Sequence, residues 1–241
     1  MEASIKPPLI FSLSSSGKTG GIALFQERLL LEINFLAKES YAKGIFKALS
    51  FVKENYKGFL FEIDYIAVDI GPGSFTGLRI GLSVLKALEL LREIPYLPVS
   101  SLEILAWNYP LSPYPVLSII DAHSKELFIA LYKWEEDCFK PQIPPSIIPF
   151  EKLKEIIKNP TLFVSETLEK WEKEFEEHFG ENFIKPPFLP ALRAGLLSQI
   201  AAEKLKKGDV KPLKGEELLP LYLKPSEAER KRCGSIYLNA F

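Results

Sequence analysis

The chain has 241 residues, of which 47% are hydrophobic and 25% charged, and its formal net charge is −1. This length suffices for one large domain or two small lobes. The near-neutral charge excludes a sequence-wide basic surface that would bind nucleic acid by counterion release. The two cysteines cannot form a disulfide framework, and no secretory pattern or long apolar run is present. We therefore expect a cytoplasmic protein that does not associate with membranes.

The apolar pattern along the chain predicts an α/β fold. Short apolar runs predict strands at 9–13, 21–25, 29–35, 65–70, 96–99 and 161–164, with a hairpin over 116–134. Helical periodicity predicts helices over 40–56, 76–92, 100–107, 150–157, 167–179 and 190–207. The helix over 76–92 has only a narrow polar stripe, so we expect it to be covered on more than one side.

A proline-rich link over 110–115 predicts a boundary between two lobes. The first lobe is expected to cover 1–110 and the second 111–225, with a last segment that returns to the first lobe. A charged tail is expected over 226–241.

The most informative segment runs from Asp69 to Gly81 and reads DIGPGSFTGLRIG. A buried strand turns through glycines into a helix there. Pro72 presets φ for the first corner of a turn, and Gly73 can take the positive φ of the next corner. Ser74 or Thr76 can cap the helix, so that free N–H groups and the positive end of the dipole face the loop. The pattern predicts either an anion-binding loop or a tight turn.

This segment closely resembles the TsaB/YeaZ family, and three further segments match the family in the same order. They are Val99–Ala106 (VSSLEILA), Ile119–Ala122 with Glu126–Tyr132 (IIDA and ELFIALY), and Leu219–Ser226 (LPLYLKPS). Lys224 stands where the family signature has arginine. The resemblance is continuous to about residue 132, thin over 133–189, and returns over 190–229.

The resemblance implies a two-lobed actin-like fold of the ASKHA, ribonuclease H-like class, with mixed sheets flanked by helices. It implies a non-catalytic scaffold or activator subunit for threonylcarbamoyl transfer to adenosine in tRNA, with no catalytic residue or metal of its own. Its partners would be a catalytic paralogue of the TsaD type, which holds the metal and the threonylcarbamoyl-adenylate, and a P-loop ATPase of the TsaE type. Alone it would form a homodimer, and it would meet tRNA only indirectly.

The resemblance also allows ATP or ADP at the interface with the paralogue, although this chain would bind no nucleotide firmly. The loop residues expected near such a nucleotide are Gly71, Pro72, Gly73, Ser74, Thr76, Gly77 and Arg79. Asp69 ends a core strand, and Asp121 lies where the superfamily places an acidic residue in the second lobe. Each aspartate has a structural alternative, because Asp69 can cap the loop backbone and Asp121 can bond its own turn.

Several residues argue against independent catalysis. Ser14 stands where the actin-like superfamily places an aspartate near a metal–nucleotide complex, and a hydroxyl lacks the charge that Mg²⁺ prefers. Ser16–Thr19 (SGKT) resembles the end of a Walker loop but is followed by a strand, so we expect a hairpin turn. His123 and His178 do not form the helical pair at i and i+4 that holds the metal in the catalytic relatives.

The helices over 40–56 and 76–92 are predicted to form the partner interface, because their broad apolar arcs would leave surface uncovered. The candidates are Ile45, Phe46, Leu49, Val52, Leu78, Leu82, Leu85 and Leu88. The alternative is that the final helix covers this face within the chain.

Two other functions stay open at this point. One is a stand-alone nucleotide-binding ATPase or kinase-like protein of the same fold, which Asp69 and Asp121 would favour. The other is a glycoprotease-like peptidase, for which no serine has an adjacent base in the sequence.

Overall fold

The computed structural model describes residues 6–37 and 40–224. The predicted tail over 226–241 lies outside the described residues. Within them, ten strands form two five-stranded sheets, one in each half of the chain. The strands are β1 Ile10–Ser14, β2 Thr19–Gln26, β3 Arg28–Leu36, β4 Tyr65–Asp69, β5 Tyr96–Val99, β6 Val116–Asp121, β7 Glu126–Glu135, β8 Cys138–Pro149, β9 Thr161–Val164 and β10 Phe183–Ile184.

The helices connect and cover these sheets. They are α1 Tyr41–Asn55, α2 Phe59–Glu62, α3 Phe75–Glu89, α4 Ser101–Ala106, α5 Leu153–Ile156, α6 Glu172–Phe179 and α7 Ala194–Lys207, with three short 3-10 turns between them. In the part of the chain that the structure describes, no helix has the length and apolar character needed to cross a membrane.

Each sheet mixes parallel and antiparallel pairs. The first has the order β3-β2-β1-β4-β5, in which β1 pairs antiparallel with β2 and parallel with β4. The second has the order β10-β9-β6-β7-β8, in which β6 pairs antiparallel with β7 and parallel with β9. The prediction of a two-lobed α/β fold with mixed sheets flanked by helices is confirmed, and the link at 110–115 lies between the two sheets.

Three apolar clusters hold these layers together. One lies between the first sheet and helices α1 and α3, and another lies between the second sheet and helices α5 and α6. The third joins the lobes, since it contains Ile10 of the first sheet, Val116 of the second, Leu105 of α4 and Ile200 of α7. The final helix therefore packs on the side of the first sheet opposite to α1 and α3.

Parts of the second half differ from the sequence prediction. Strand β8 is absent from the predicted strands, and it tolerates its prolines because it is an edge strand of its sheet. The helix predicted from residue 190 begins only at Ala194. Arg193 before it stays extended, with its guanidinium 2.6 Å from Glu32 Oε2, while the Gly195 N–H donates to Glu32 Oε1 at 2.9 Å.

The predicted interface residues divide into two groups. Ile45, Val52, Leu78 and Leu85 are at most 3% exposed and belong to the core, so their assignment to a partner surface is wrong. Ile45, Val52 and Leu85 pack against the chain's own first sheet, and Leu78 packs against the loop before α3, beside Gly71. The accessible members are Phe46, which is 59% exposed, and the partly buried Leu49, Leu82 and Leu88.

Truncation of Leu85 tests this correction. Leu85→Ala should lower the free energy of unfolding by about 2–5 kcal/mol, because it leaves a cavity in a fully packed core. Leu90→Ala is the control, since Leu90 is 88% exposed and should change stability by less than about 0.5 kcal/mol. Urea denaturation of both variants measures the difference, and equal losses would contradict the core assignment.

Candidate functional site

A cleft of about 650 Å³ lies between the two lobes. The first lobe contributes the β1–β2 turn and the glycine loop over 72–76. The second contributes the end of β6 with its turn and the loop over 165–167. The C-terminal segment over 221–224 also lines the cleft. Residues 72–76 of the sequence-predicted loop and Asp121 thus meet at one opening, although 45 or more positions separate them in sequence.

The glycine loop packs tightly on the β1–β2 turn. The Ser74 N–H donates to Ser16 O at 2.6 Å, and Ser74 Oγ caps α3 by accepting from the Gly77 N–H at 3.1 Å. A Cβ at Gly73 would lie 2.3 Å from Ser16 O, and one at Gly77 would lie 1.9 Å from Ser15 O. These glycines are therefore required by the close approach of two backbones. The positive φ predicted for Gly73 is wrong, because Gly71 carries it, at 91°, before a cis bond to Pro72.

Asp69 lies beneath this loop and is only 2% exposed. Its carboxylate accepts hydrogen bonds from the hydroxyls of Ser14 at 2.9 Å, Ser16 at 2.5 Å and Ser101 at 2.5 Å. It also accepts the Gly71 N–H at 3.0 Å. Four donors from three segments of the chain thus bind one buried carboxylate. Ser14, at the position where the superfamily has an aspartate, is a donor to Asp69.

Asp121 lines the cleft, and its carboxylate is bonded within the second lobe. One oxygen pairs with the Lys170 ammonium, and the other accepts the His123 N–H at 2.8 Å. Burial alone would raise the pKa of Asp121, but the Lys170 ammonium and the His123 N–H outweigh it and hold the pKa below its usual value. Asp121 therefore accepts a hydrogen bond within its own turn, which is the structural alternative expected from the sequence. Its carboxylate is negatively charged at neutral pH.

Arg79 and the C-terminal segment meet at the surface. The Arg79 guanidinium lies 4.0 Å from the centre of the Phe75 ring, and that ring lies 5.5 Å from the ring of Tyr222. Arg79 does not line the cleft, whereas the exposed Thr76 does. Lys224 donates to Ala122 O at 2.8 Å and pairs with Glu126 at 2.6 Å. The segment that follows α7 therefore connects the loop of the first lobe with the hairpin of the second.

Glu166, which sequence reasoning missed, is a second bridge between the lobes. It follows strand β9 and lines the cleft, and its carboxylate accepts the Lys18 N–H at 2.7 Å and the Thr19 hydroxyl at 2.6 Å. Residues 133–189 carry no motif that points to Glu166. Its partners are 147 and 148 positions away in sequence, so no local pattern predicts the contact. The predicted hairpin turn over Ser16–Thr19 is confirmed, since it joins antiparallel strands β1 and β2.

The two histidines lie apart. His123 occupies the β6–β7 turn at a φ of 60°, while the His178 ring packs 5.2 Å from the Phe150 ring. His178 Nδ1 lies 2.8 Å from Glu174 O. Among residues 6–37 and 40–224, no group of three or more histidine, cysteine, aspartate or glutamate side chains is arranged to hold a metal ion.

The Asp69 network should contribute measurably to stability. Asp69→Asn should lower the free energy of unfolding by about 1–3 kcal/mol, because its amide nitrogen cannot accept the hydroxyl bonds that a carboxylate oxygen accepts. Asp64→Asn is the control, since Asp64 is exposed and accepts only the Leu9 N–H among the bonds described. Urea denaturation compares the two, and a loss at Asp64 as large as at Asp69 would contradict the prediction.

The Asp121–Lys170 pair predicts a pH effect. Because the folded-state pKa of Asp121 is lowered, its contribution to stability is present above the unfolded-state pKa and is lost as the pH falls through the folded-state value. Lys170→Met should raise the pKa of Asp121, because it removes the ammonium group that lowers this pKa while burial, which raises it, remains. Carboxyl ¹³C NMR titration measures it, with Lys173→Met as the exposed control. An unchanged pKa in Lys170→Met would show that Lys170 does not act on Asp121.

Comparison with known proteins identifies relatives. The family model "TsaD: tRNA N6-adenosine threonylcarbamoyltransferase" matches residues 36–214. The "tRNA threonylcarbamoyladenosine biosynthesis protein TsaB" of Bacillus subtilis (strain 168) is 28% identical over 227 residues, which cover 92% of this chain and 96% of the relative. The protein of that name from Escherichia coli (strain K12) is 38% identical over 81 residues, 32% of this chain and 35% of the relative.

A solved structure shares the fold. "YeaZ from Pseudomonas aeruginosa" superposes with a TM-score of 0.72 at 22% sequence identity, over 90% of this chain and 100% of that chain. At this identity the likeness shows the fold alone. It agrees with the two-lobed actin-like architecture predicted from the sequence.

Proposed function

Since the chain belongs to the family described by the threonylcarbamoyltransferase model, and within it to the TsaB/YeaZ group, we propose that it serves tRNA threonylcarbamoyladenosine biosynthesis as a non-catalytic subunit. Its task is to dock the catalytic paralogue of the TsaD type and to stabilise that protein's active arrangement. The observation that carries the docking proposal is the apolar surface exposed by the helices of the first lobe.

Large apolar side chains are exposed along α1 and directly after α3. Phe46 is 59% exposed, Phe51 48%, Leu90 88% and Leu91 67%. The final helix packs on the opposite side of the sheet and leaves this face open. Docking a paralogue that presents two helices would remove these side chains from water as a four-helix interface. In isolation, a second copy of this chain would cover the same face.

The interior of the cleft supports a non-catalytic role. The carboxylate of Asp69 is buried and accepts four hydrogen bonds, and that of Asp121 is paired with Lys170 and bonded to its own turn. Ser14 and Ser16 donate to Asp69, and Ser74 caps α3. The side chains that a kinase-like protein or a peptidase would use are therefore engaged in holding the loops. In our proposal, this chain alone binds no nucleotide firmly, and ATP or ADP binds at the interface with the paralogue.

A reconstitution tests the proposal. The catalytic paralogue, the P-loop ATPase of the TsaE type, tRNA, threonine, bicarbonate and ATP are combined with and without this chain, and modified adenosine is measured. We expect product only when the chain is present. Product formed equally well without it would overturn the accessory role and favour a stand-alone nucleotide-binding protein.

Phe46→Asp tests the docking surface in the same assay. It should abolish co-elution with the paralogue and with it the product, because it places a charge on an apolar contact while leaving the core intact. Phe188→Asp is the matched control: Phe188 is 58% exposed, nearly the same as Phe46, but lies in the second half of the chain. Undiminished co-elution of a folded Phe46→Asp variant would contradict docking through α1.

Asp121→Ala separates scaffold from chemistry. If the chain is a scaffold, Asp121→Ala should still co-elute with the paralogue and support formation of modified adenosine. Among the bonds described, Asp121 contacts only its own lobe. Loss of product with intact docking would show that the chain contributes a reacting group.

A further inference from the structure

A second cavity, of about 580 Å³, lies beside helices α4 and α7 and the edge strand β8. Of the described residues that line it, only Leu221 also lines the cleft. The first lobe contributes Ile70 and Pro98 to its wall, and β8 contributes Phe139 and Pro145. A cavity of this size accommodates a small organic ligand.

Two buried polar side chains line this cavity without a full set of partners. Tyr132 is 3% exposed and Glu103 is 8% exposed. The Tyr132 hydroxyl makes none of the hydrogen bonds described, although a buried hydroxyl normally has a partner. One Glu103 oxygen lies 2.5 Å from the Lys204 ammonium, and the other has no partner among the bonds described. A donor and an acceptor are therefore left unsatisfied at one cavity.

These two groups act on each other electrostatically. Burial raises the pKa of Tyr132 well above its usual value, and the negative charge of Glu103 raises it further. Such an effect weakens with distance, so the two groups are near each other, yet no described hydrogen bond joins them. The hydroxyl stays protonated and can donate. A group that fits between them must accept from Tyr132 and donate to Glu103.

The charged side chains around the cavity balance one another. Three are lysines and three are acidic: Lys140, Lys204, Lys207, Glu103, Glu203 and Asp209. Because their formal charges cancel, long-range attraction favours neither a phosphate nor a polyamine. The ligand that suits this cavity is neutral.

Flat rings form part of the wall. The Phe139 ring lies 6.1 Å from the Trp107 ring and 6.1 Å from the Tyr132 ring, edge to face in both pairs. Pro98 and Pro145 add two more rigid rings. A planar ring can pack on such surfaces with little loss of conformational freedom, whereas a flexible chain would have to be ordered.

We propose that this cavity binds a neutral, planar heterocycle of the adenine type between Tyr132 and Glu103. The amino group of the ligand donates to the free oxygen of Glu103, and a neighbouring ring nitrogen accepts from the Tyr132 hydroxyl. Adenine presents this donor and this acceptor side by side on one edge. The inference goes beyond the accessory role proposed above. Adenosine has no phosphate, so its binding here is distinct from that of ATP or ADP at the interface with the paralogue.

Titration with adenosine tests the inference. The native chain should bind adenosine in isothermal titration calorimetry, and the Trp107 indole resonance should shift in ¹⁵N NMR spectra, since this side chain lines the cavity. Inosine is the matched ligand, because it has a carbonyl in place of the amino group that donates to Glu103. We expect inosine to bind at least about tenfold more weakly.

Tyr132→Phe tests the contribution of the hydroxyl. Because this hydroxyl makes none of the hydrogen bonds described, its removal should leave the urea midpoint unchanged and lower the affinity for adenosine about tenfold. Tyr114→Phe is the control, since Tyr114 does not line this cavity. Glu103→Gln removes the carboxylate charge and should lower the affinity as well, which keeps the inference testable if Tyr132→Phe does not fold.

The heterocycle can come from a free nucleoside or from RNA. Competition by an RNA hairpin with adenosine in its loop would identify RNA as the source, whereas adenosine binding unchanged by that RNA would identify a free nucleoside. Failure of the native chain to bind adenosine would overturn the inference. Equal affinities for adenosine and inosine, an unchanged affinity of folded Tyr132→Phe, or NMR shifts confined to the amides of the cleft would also overturn it.

Discussion

The arrangement of the cleft depends on one buried carboxylate. Asp69 ends strand β4 and accepts hydrogen bonds from Ser14, Ser16, Ser101 and the Gly71 N–H. Those donors belong to the β1 region, to the start of α4 and to the glycine loop. A buried charge is costly unless it is fully hydrogen-bonded, and here the same bonds that stabilise the charge fix three segments relative to each other. The hydrogen bonds to Asp69 therefore fix the position of the glycine loop.

The lobes are joined by both apolar and polar contacts. Helices α4 and α7 share one apolar cluster with both sheets, so the two halves have a common core. Around the cleft, Glu166 reaches from the second lobe to the β1–β2 turn, and Lys224 connects the C-terminal segment with the β6–β7 hairpin. Each of these polar contacts borders the cleft.

The first lobe has two surfaces with different chemistry. One faces the cleft and is rich in backbone donors, hydroxyls and paired charges. The other is the outer face of α1 and the end of α3, where phenylalanine and leucine side chains are exposed. Apolar side chains gain free energy by leaving water, whereas donors at a turn gain it from an anion. The proposed docking of a protein partner therefore concerns the outer face and not the cleft.

The sequence by itself determined the elements of the first half, the hairpin over 116–134 and the glycine loop, because apolar periodicity and turn residues act over a few neighbouring positions. Only the tertiary structure decided which side of α1 is buried, with Ile45 and Val52 inside and Phe46 outside. It also decided between the two roles expected for Asp69, and it brought Glu166 to a turn 148 positions away. Helical periodicity shows that an apolar face exists, but what covers it depends on the packing of distant segments. The acceptors of buried hydroxyls and N–H groups depend on that packing too.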